Sequence, residues 1–180
     1  METGKNRTED SKRLAYLLRH SELPDRFGWV TVRVLAEEQG YTAEELEEIV
    51  ATDPKNRYEF SADRLAVRAR QGHSIVVELG LEEVVPPAVL YHGTATRFRE
   101  AISTEGLRPM NRNYVHLSGS VEEAVLVGRR HGKPIVLRVD TEAVRRAGGV
   151  FYRASNGVWL TGPVAPEFLA VCPAEAVGGE

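Results

Sequence analysis

The sequence predicts an α+β protein built from two lobes, residues 1–88 and 89–180. Apolar residues recur at helical spacing from Ser11 to about Val50, and the period changes to two after Arg57. The segment 82–88 contains two consecutive prolines and is the best candidate for a linker. Short strands dominate beyond it, so the two lobes differ in secondary-structure content.

Three helices are predicted in the first lobe, each with its own start signal. These signals are Ser11 for the first helix, Thr31 for the second and a capping box formed by Thr42 and Glu45 for the third. The first helix places three leucines on one face and ends at Arg19 and His20. Residues 1–8 are expected to be disordered.

A β-hairpin is predicted directly after the helices. Tyr58 and Phe60 alternate with polar neighbours, and after a turn Val67 and Ala69 do the same. Arg68 lies on the polar face of the second strand. Three helices followed by a hairpin is the order of a winged-helix domain, although many other small α+β lobes share that order.

The second lobe is predicted to be rich in short strands. The predicted strands are 89–92, 114–118, 134–140, 150–153, 158–161 and 167–172, and the predicted helices are 98–105, 120–131 and 141–147. Ser120 and Glu123 have the spacing of a second capping box. Asn156-Gly157 predicts a turn between two strands.

Composition limits the kind of partner that the chain can bind. Its net charge is −3, and residues 1–90 carry 12 Lys and Arg against 17 Asp and Glu, while residues 91–180 carry 11 against 9. A broad basic surface for nucleic acid is excluded, so any phosphate must be recognised locally by placed arginines. The single Cys172 excludes disulfides within the chain and multi-cysteine metal sites. No apolar run is long enough to span a membrane, and residues 1–10 lack a secretory signal, so a cytoplasmic protein is expected.

Five short segments concentrate arginine, histidine and hydroxyl side chains. They are Arg19-His20, Arg68 followed by Gln71-Gly72-His73-Ser74, His92-Gly93-Thr94, Arg112 with His116 and Ser118, and the stretch from Tyr152 to Leu160. Taken singly, each has an ordinary explanation: cations that suit a helix dipole, a strand edge ending in a turn, a chance tripeptide, a core histidine or a plain hairpin.

Familiar cofactor motifs are missing from the sequence. No two histidines have the i, i+4 spacing of a helical zinc site, and no metal is expected. There is no Gly-x-Gly-x-x-Gly motif and no Walker-type loop. A dinucleotide, if one binds, does not bind a Rossmann site.

Taken together, these segments resemble the KptA-type RNA 2′-phosphotransferase family. The matching pieces are SKRLAYLLRH, GWVTV, VRARQGHS, LYHGT, the GL-x-x-M-x-R-x-x-VHLS stretch, VGRRHGKPIVLRVD and FYRASNGVWLT. The resemblance covers the chain from about Ser11 to Cys172, and the order of the pieces is far more specific than any one of them. Four of the five histidines, His20, His73, His92 and His116, fall inside the first five of these pieces.

The resemblance implies a fold and a set of site residues. The first lobe would be winged-helix-like and bind RNA, and the second would be similar to the ADP-ribosyltransferase fold and hold NAD⁺ in a cleft between small sheets. The implied catalytic set is Arg19, His20, Arg68 and Arg112. The residues expected to contact NAD⁺ are His73, Ser74, His92, Gly93, Thr94, His116 and Ser118.

The resemblance also implies a two-step reaction on RNA that carries an internal 2′-phosphate. The phosphate first displaces nicotinamide from NAD⁺, and the ribose 2″-hydroxyl then attacks the phosphorus. The products are 2′-hydroxyl RNA and ADP-ribose 1″,2″-cyclic phosphate, and His20 is the hypothesised proton donor to the leaving oxygen. Residues 155–159 lack the glutamate that protein-directed ADP-ribosyltransferases of similar fold usually carry, which favours a phosphate acceptor.

Two other functions stay open at this point. One is an ADP-ribosyltransferase that caps terminal phosphates of RNA or DNA and stops after the first step. The other is a non-catalytic winged-helix nucleic-acid binder that senses NAD⁺. Nothing in the sequence requires a dimer, and a monomer is expected. The loop between His20 and Gly28 is shorter than is usual in the family, Arg70 replaces a small polar residue, and Tyr114 stands where histidine is common.

Overall fold

The computed structural model describes residues 7–173 and divides the chain into two compact units between Gly80 and Leu81. The first unit carries three helices and a small sheet, and the second carries two small sheets with helices. All strand pairs within the sheets are antiparallel. The predicted α+β class is therefore confirmed.

The first unit packs its helices against one three-stranded sheet. Its elements are α1 (Arg7–His20), β1 (Trp29–Thr31), α2 (Val32–Glu37), α3 (Ala43–Thr52), β2 (Tyr58–Phe60) and β3 (Ala66–Ala69). The strand order is β1-β3-β2, so β3 is central. Leucines from all three helices meet Tyr58 and Val67 in a core from which water is excluded.

The start signals of α2 and α3 act as predicted. The Thr31 hydroxyl accepts from the Val34 N–H at 3.2 Å. Thr42 and Glu45 exchange both hydrogen bonds of a capping box, at 3.1 and 2.9 Å. These bonds satisfy N–H groups that a helix start would otherwise leave unpaired.

Two features of the first unit differ from expectation. Helix α1 begins at Arg7 rather than near Ser11, so the expected disorder is wrong for residues 7 and 8, while residues 1–6 lie outside the described part. Strand β1 was not predicted, because three residues are too few to reveal a period of two. Its pairing with β3 places Trp29 opposite Arg68.

The second unit contains two three-stranded antiparallel sheets. Its elements are β4 (Val89–Ala95), a 3₁₀ turn (Thr96–Phe98), α4 (Arg99–Glu105), β5 (Val115–Leu117), α5 (Val121–Arg129), β6 (Pro134–Asp140), α6 (Thr141–Arg146), β7 (Phe151–Arg153), β8 (Trp159–Thr161), a second 3₁₀ turn (Pro166–Phe168) and β9 (Leu169–Val171). The strand orders are β4-β6-β9 and β5-β8-β7. Buried apolar residues of both sheets share one core.

The expected linker and the second capping box both differ in detail. The Val84 N–H donates to the Phe151 carbonyl at 2.9 Å, so part of the segment predicted as linker pairs with the second unit. Ser120 caps α5 by accepting from the Glu123 N–H, but the Glu123 carboxylate accepts from the Gly119 N–H rather than from that of Ser120. Within residues 7–173, no helix is both long and apolar enough to cross a membrane.

Candidate active site

The end of helix α1 is joined to the turn that follows β3. The Ser74 N–H donates to the carbonyl of Arg19 at 3.0 Å, which satisfies a carbonyl in the last turn of the helix. The Ser74 hydroxyl also lies 2.8 Å from Nδ1 of His20, across a separation of 54 residues. Two of the sequence segments, SKRLAYLLRH and QGHS, thus meet at one point.

Gly72 lets the side chain of Arg19 lie against this turn. Gly72 has a φ of +91°, and a Cβ at this position would lie 3.3 Å from both Cζ and Nε of Arg19. Any side chain here would be strained and would press on the guanidinium. The glycine therefore helps to position Arg19.

His73, which precedes Ser74 in the same turn, is buried. It is 2% exposed, and within residues 7–173 neither ring nitrogen has a hydrogen-bond partner. The pKa of His73 is lowered from 6.5 to about 4, mainly because burial disfavours the charged ring. The charges of Arg19, His20 and Arg68 contribute to the same shift. His73 is therefore neutral at neutral pH, and any ligand would have to uncover its ring.

Arg68 lies in the central strand β3 and is held from both neighbouring strands. Its Nε donates to Oε1 of Glu59 on β2 at 2.6 Å. Its guanidinium carbon lies 4.4 Å from the ring centre of Trp29 on β1, a cation–π contact. Its Nη1 reaches the Phe27 carbonyl at 3.4 Å. Among residues 7–173, Nη2 has no hydrogen-bond partner, so this nitrogen can donate to an anion.

In the second unit, His92 on β4 bonds to the backbone of β5. Its Nδ1 lies 3.0 Å from the carbonyl oxygen of His116. Because a carbonyl only accepts, this bond places the hydrogen on Nδ1 and leaves Nε2 as an acceptor. Burial is the main reason why the pKa of His92 is lowered, and the charge of His131 lowers it as well. His92 is therefore neutral.

Arg112 sets the opposite ring form in His116. Its Nη1 lies 2.9 Å from Nδ1 of His116. Because arginine only donates, Nδ1 of His116 accepts and Nε2 carries the hydrogen. His92 and His116 thus differ in which ring nitrogen carries the hydrogen.

Comparisons with known proteins identify the family of the chain. A family model described as "RNA 2′-phosphotransferase, Tpt1 / KptA family" matches residues 5–162. The chain belongs to this family. The predicted activity, that of an RNA 2′-phosphotransferase and hence of a transferase, is confirmed.

Bacterial relatives of the same description match most of the chain. A probable RNA 2′-phosphotransferase of Hahella chejuensis is 47% identical over 171 residues, which cover 89% of this chain and 92% of that protein. One of Streptomyces coelicolor is 47% identical over 169 residues, covering 88% and 92%. One of Pectobacterium carotovorum is 44% identical over 176 residues, covering 91% and 94%.

Gly93 has a packing role in this Tpt1/KptA family member. A Cβ at Gly93 would overlap the backbone carbonyl oxygen of Ala124 in α5. On that side the space is filled by the helix rather than left for a ligand. The neighbouring Thr94 is buried, with 7% of its surface exposed. Of this tripeptide, His92 therefore offers the side-chain group best placed to meet a ligand, the ring nitrogen Nε2, because Nδ1 bonds to the backbone.

Ser118 joins the two sheets of the second unit. Its N–H and carbonyl exchange hydrogen bonds with Tyr91 at 2.7 and 3.0 Å. This bridge holds the end of β5 beside β4. It explains how His92 reaches the carbonyl of His116.

Sequence reasoning missed two residues that hold Arg68. Glu59 lies directly opposite Arg68 in the hairpin, and a cross-strand pair of opposite charges could have been found by working out the hairpin register. Trp29 offered no such signal, because its strand was not predicted.

Removing the Ser74 hydroxyl is expected to slow the reaction without releasing the end of α1. Ser74→Ala keeps the N–H bond to the Arg19 carbonyl, but it removes the hydroxyl contact with Nδ1 of His20 and the longer hydroxyl contact, at 3.4 Å, with the same carbonyl. We expect kcat to fall about 3- to 10-fold, the size of one hydrogen bond, with the KM for RNA little changed. Ser74→Thr should retain most activity, and Ser103→Ala, which removes an exposed hydroxyl in α4, serves as the control. A kcat unchanged in Ser74→Ala would show that the hydroxyl does not orient His20.

The first unit is expected to lose stability in acid because of His73. Above pH 6.5 the ring is neutral in both the folded and the unfolded chain. As the pH falls from 6.5 towards 4, only the unfolded chain takes up the proton, so the free energy of unfolding drops by up to about 3 kcal/mol. His73→Asn should flatten this dependence, while His131→Asn should not. Trp29 fluorescence in a Trp159→Phe background reports on this unit, and an equal slope in both variants would contradict the assignment.

Proposed function

We propose that this chain removes an internal 2′-phosphate from RNA by transferring it to NAD⁺. The observation that carries the proposal is that Ser74, in the turn after Arg68, bonds to both Arg19 and His20 at the end of α1. The chain as a whole is acidic, with a net charge of −3, yet the charges of Arg19, His20 and Arg68 all act on one buried side chain, His73. Such a cluster suits a doubly charged phosphate more than the single negative charge of an ordinary phosphodiester.

The two units support different substrate roles. The first has three helices and a sheet ordered β1-β3-β2. This order is compatible with a winged-helix-like lobe, which would bind RNA. The second has two small antiparallel sheets, as expected for an ADP-ribosyltransferase-like lobe. We assign RNA to the first unit and NAD⁺ to the second.

The arginines of the first unit align the RNA phosphate. A 2′-phosphate is already anionic near neutral pH, so it needs orientation rather than a general base. The planar guanidinium forks of Arg19 and Arg68 bind phosphate oxygens in fixed directions and stay charged. His20, oriented by Ser74, supplies a proton to the 2′-oxygen of the ribose as the phosphate departs.

The donor set of the second unit fits a nucleotide with ribose hydroxyls. Nε2 of His92 can accept from a hydroxyl. Arg112 offers a permanent positive charge beside His116. When bound, NAD⁺ supplies the anomeric carbon that receives the RNA phosphate. Residues 155–159 contain no glutamate, which a phosphate acceptor does not need.

One assay tests the proposal. A short RNA with a single internal 2′-phosphate is incubated with the protein, with and without NAD⁺, and the products are resolved by mass. We expect NAD⁺-dependent loss of the phosphate and formation of ADP-ribose 1″,2″-cyclic phosphate. An ADP-ribosylated RNA that never resolves would instead identify a capping transferase, and the absence of any reaction would refute the proposal.

A further inference from the structure

The carboxylate of Glu59 is shared between two arginines of the first unit. Oε1 accepts from Nε of Arg68 at 2.6 Å, and Oε2 accepts from Nη1 of Arg70 at 2.7 Å. All three side chains are largely buried, with exposures of 18% for Glu59, 22% for Arg68 and 19% for Arg70. Hydrogen bonds between charged groups in such a setting are short and strong.

Arg70 is itself anchored to the strand that carries Glu59. Its Nε donates to the carbonyl oxygen of Tyr58 at 3.0 Å, and its N–H donates to the carbonyl of Arg57 at 2.8 Å. The Arg70 guanidinium is therefore held beside Glu59 from both the backbone and the side chain. The cluster Arg68–Glu59–Arg70 is a fixed arrangement rather than a loose surface pair.

The sharing has a consequence for local charge. A carboxylate paired with Arg68 alone would cancel the charge of that arginine. With Arg70 on the second oxygen, the three side chains keep a net charge of +1. Because charges interact strongly over a few ångströms when they are partly shielded from water, this difference changes the potential met by an anion at Nη2 of Arg68.

We propose that Glu59 and Arg70 are positioning residues for the RNA 2′-phosphate, acting through Arg68. Glu59 orients the guanidinium by holding Nε, and Arg70 prevents Glu59 from neutralising it. This inference rests on the proposed function, in which Arg68 binds the phosphate. Arg70 thereby contributes to the discrimination between RNA with a 2′-phosphate and RNA with a 2′-hydroxyl.

The test compares single and double variants of the pair. Arg70→Gln is expected to raise the KM for 2′-phosphorylated RNA on the order of 10-fold, with kcat changed less than about 2-fold, because only a charge near the bound anion is lost. Arg70→Lys should restore most of the affinity. In Glu59→Gln/Arg70→Gln the net charge returns to +1, so KM should recover while kcat falls, since a neutral amide holds Nε of Arg68 less firmly than the carboxylate does. A purely structural role would make the double variant worse in both constants.

A matched cation on the same hairpin provides the control. Arg64 pairs with Glu47 at 3.0 Å, and both side chains are more than half exposed, so Arg64→Gln should leave KM and kcat unchanged. Binding of RNA with and without the 2′-phosphate, followed by fluorescence anisotropy, gives a readout independent of turnover. Arg70→Gln should weaken only the phosphorylated RNA.

The outcomes separate this inference from the proposed function. A wild-type protein that does not remove the phosphate in the presence of NAD⁺ would refute the proposed function. An active wild type, together with an Arg70→Gln variant of unchanged KM and unchanged preference for phosphorylated RNA, would overturn the role of Arg70 alone. Failure of the double variant to recover KM would remove the charge argument.

Discussion

Arg68→Ala is expected to lower the rate of the second step by about 10²–10³-fold, the cost of removing one preorganised donor to a developing negative charge. Attack on the phosphorus increases the charge that the phosphoryl oxygens must share with their donors. Arg68 is held by Glu59 and Trp29 before any substrate arrives, so its stabilisation requires little reorganisation. The first step uses a phosphate that is already charged and should suffer less. ADP-ribosylated RNA should therefore accumulate, as measured by mass during a single turnover.

Arg68→Lys tests whether the planar fork matters in addition to the charge. Lysine keeps the positive charge but loses the geometry that lets Nε hold Glu59 while Nη2 faces an anion. We expect the lysine variant to recover RNA binding but only part of the second step. Arg112→Ala should likewise accumulate the ADP-ribosylated RNA. Full turnover in Arg68→Ala would remove this residue from the mechanism.

Gly93→Ala is expected to destabilise the second unit by several kcal/mol, at or above the roughly 1–3 kcal/mol of ordinary overpacking. The added methyl would overlap the carbonyl oxygen of Ala124, which belongs to a helix backbone and cannot rotate away. Either α5 moves off β4 or the strand distorts. Trp159 fluorescence in a Trp29→Phe background follows the unfolding of this unit in denaturant.

Gly162→Ala provides the matched control for Gly93→Ala. A Cβ at Gly162 would meet no atom within 4 Å, so this variant should unfold like the parent chain. A Gly93→Ala protein of normal stability that loses NAD⁺ binding would favour the alternative, in which the glycine clears space for the dinucleotide.

The helix starts show how far local sequence signals reach. Thr31 and Thr42 cap their helices as predicted because capping involves residues only three positions apart. Ser120 also caps its helix as predicted. The Glu123 carboxylate, however, accepts from the Gly119 N–H instead of the Ser120 N–H, and the spacing of the residues does not decide between these two donors. Strand β1 escaped detection because its three residues are defined by pairing with β3 and not by their own pattern.

In the candidate active site too, features set by nearby residues could be predicted and features set by distant residues could not. The motifs carrying Arg19, His20 and Arg68 were visible in the sequence, and the pairing of Glu59 with Arg68 could have been worked out from the hairpin register. The burial of His73 could not be predicted, because Gly28, which lies against its ring, comes from a distant part of the chain. The charge of Arg19, which lowers the pKa of His73, also comes from a distant part. Likewise, nothing local to His92-Gly93-Thr94 shows that α5 covers Gly93.

The bond from the Ser74 N–H to the Arg19 carbonyl makes the proposed phosphate-binding residues dependent on a contact between distant parts of the chain. Helix ends fray readily, and the last turn of α1 carries two of the residues assigned to catalysis. Because the bond joins residues on opposite sides of α2, α3 and the hairpin, this arrangement exists only when this whole unit is assembled. Local opening of the α1 terminus should therefore abolish activity at denaturant concentrations at which the core is still folded. Loss of activity would then report partial unfolding before the loss of the core does.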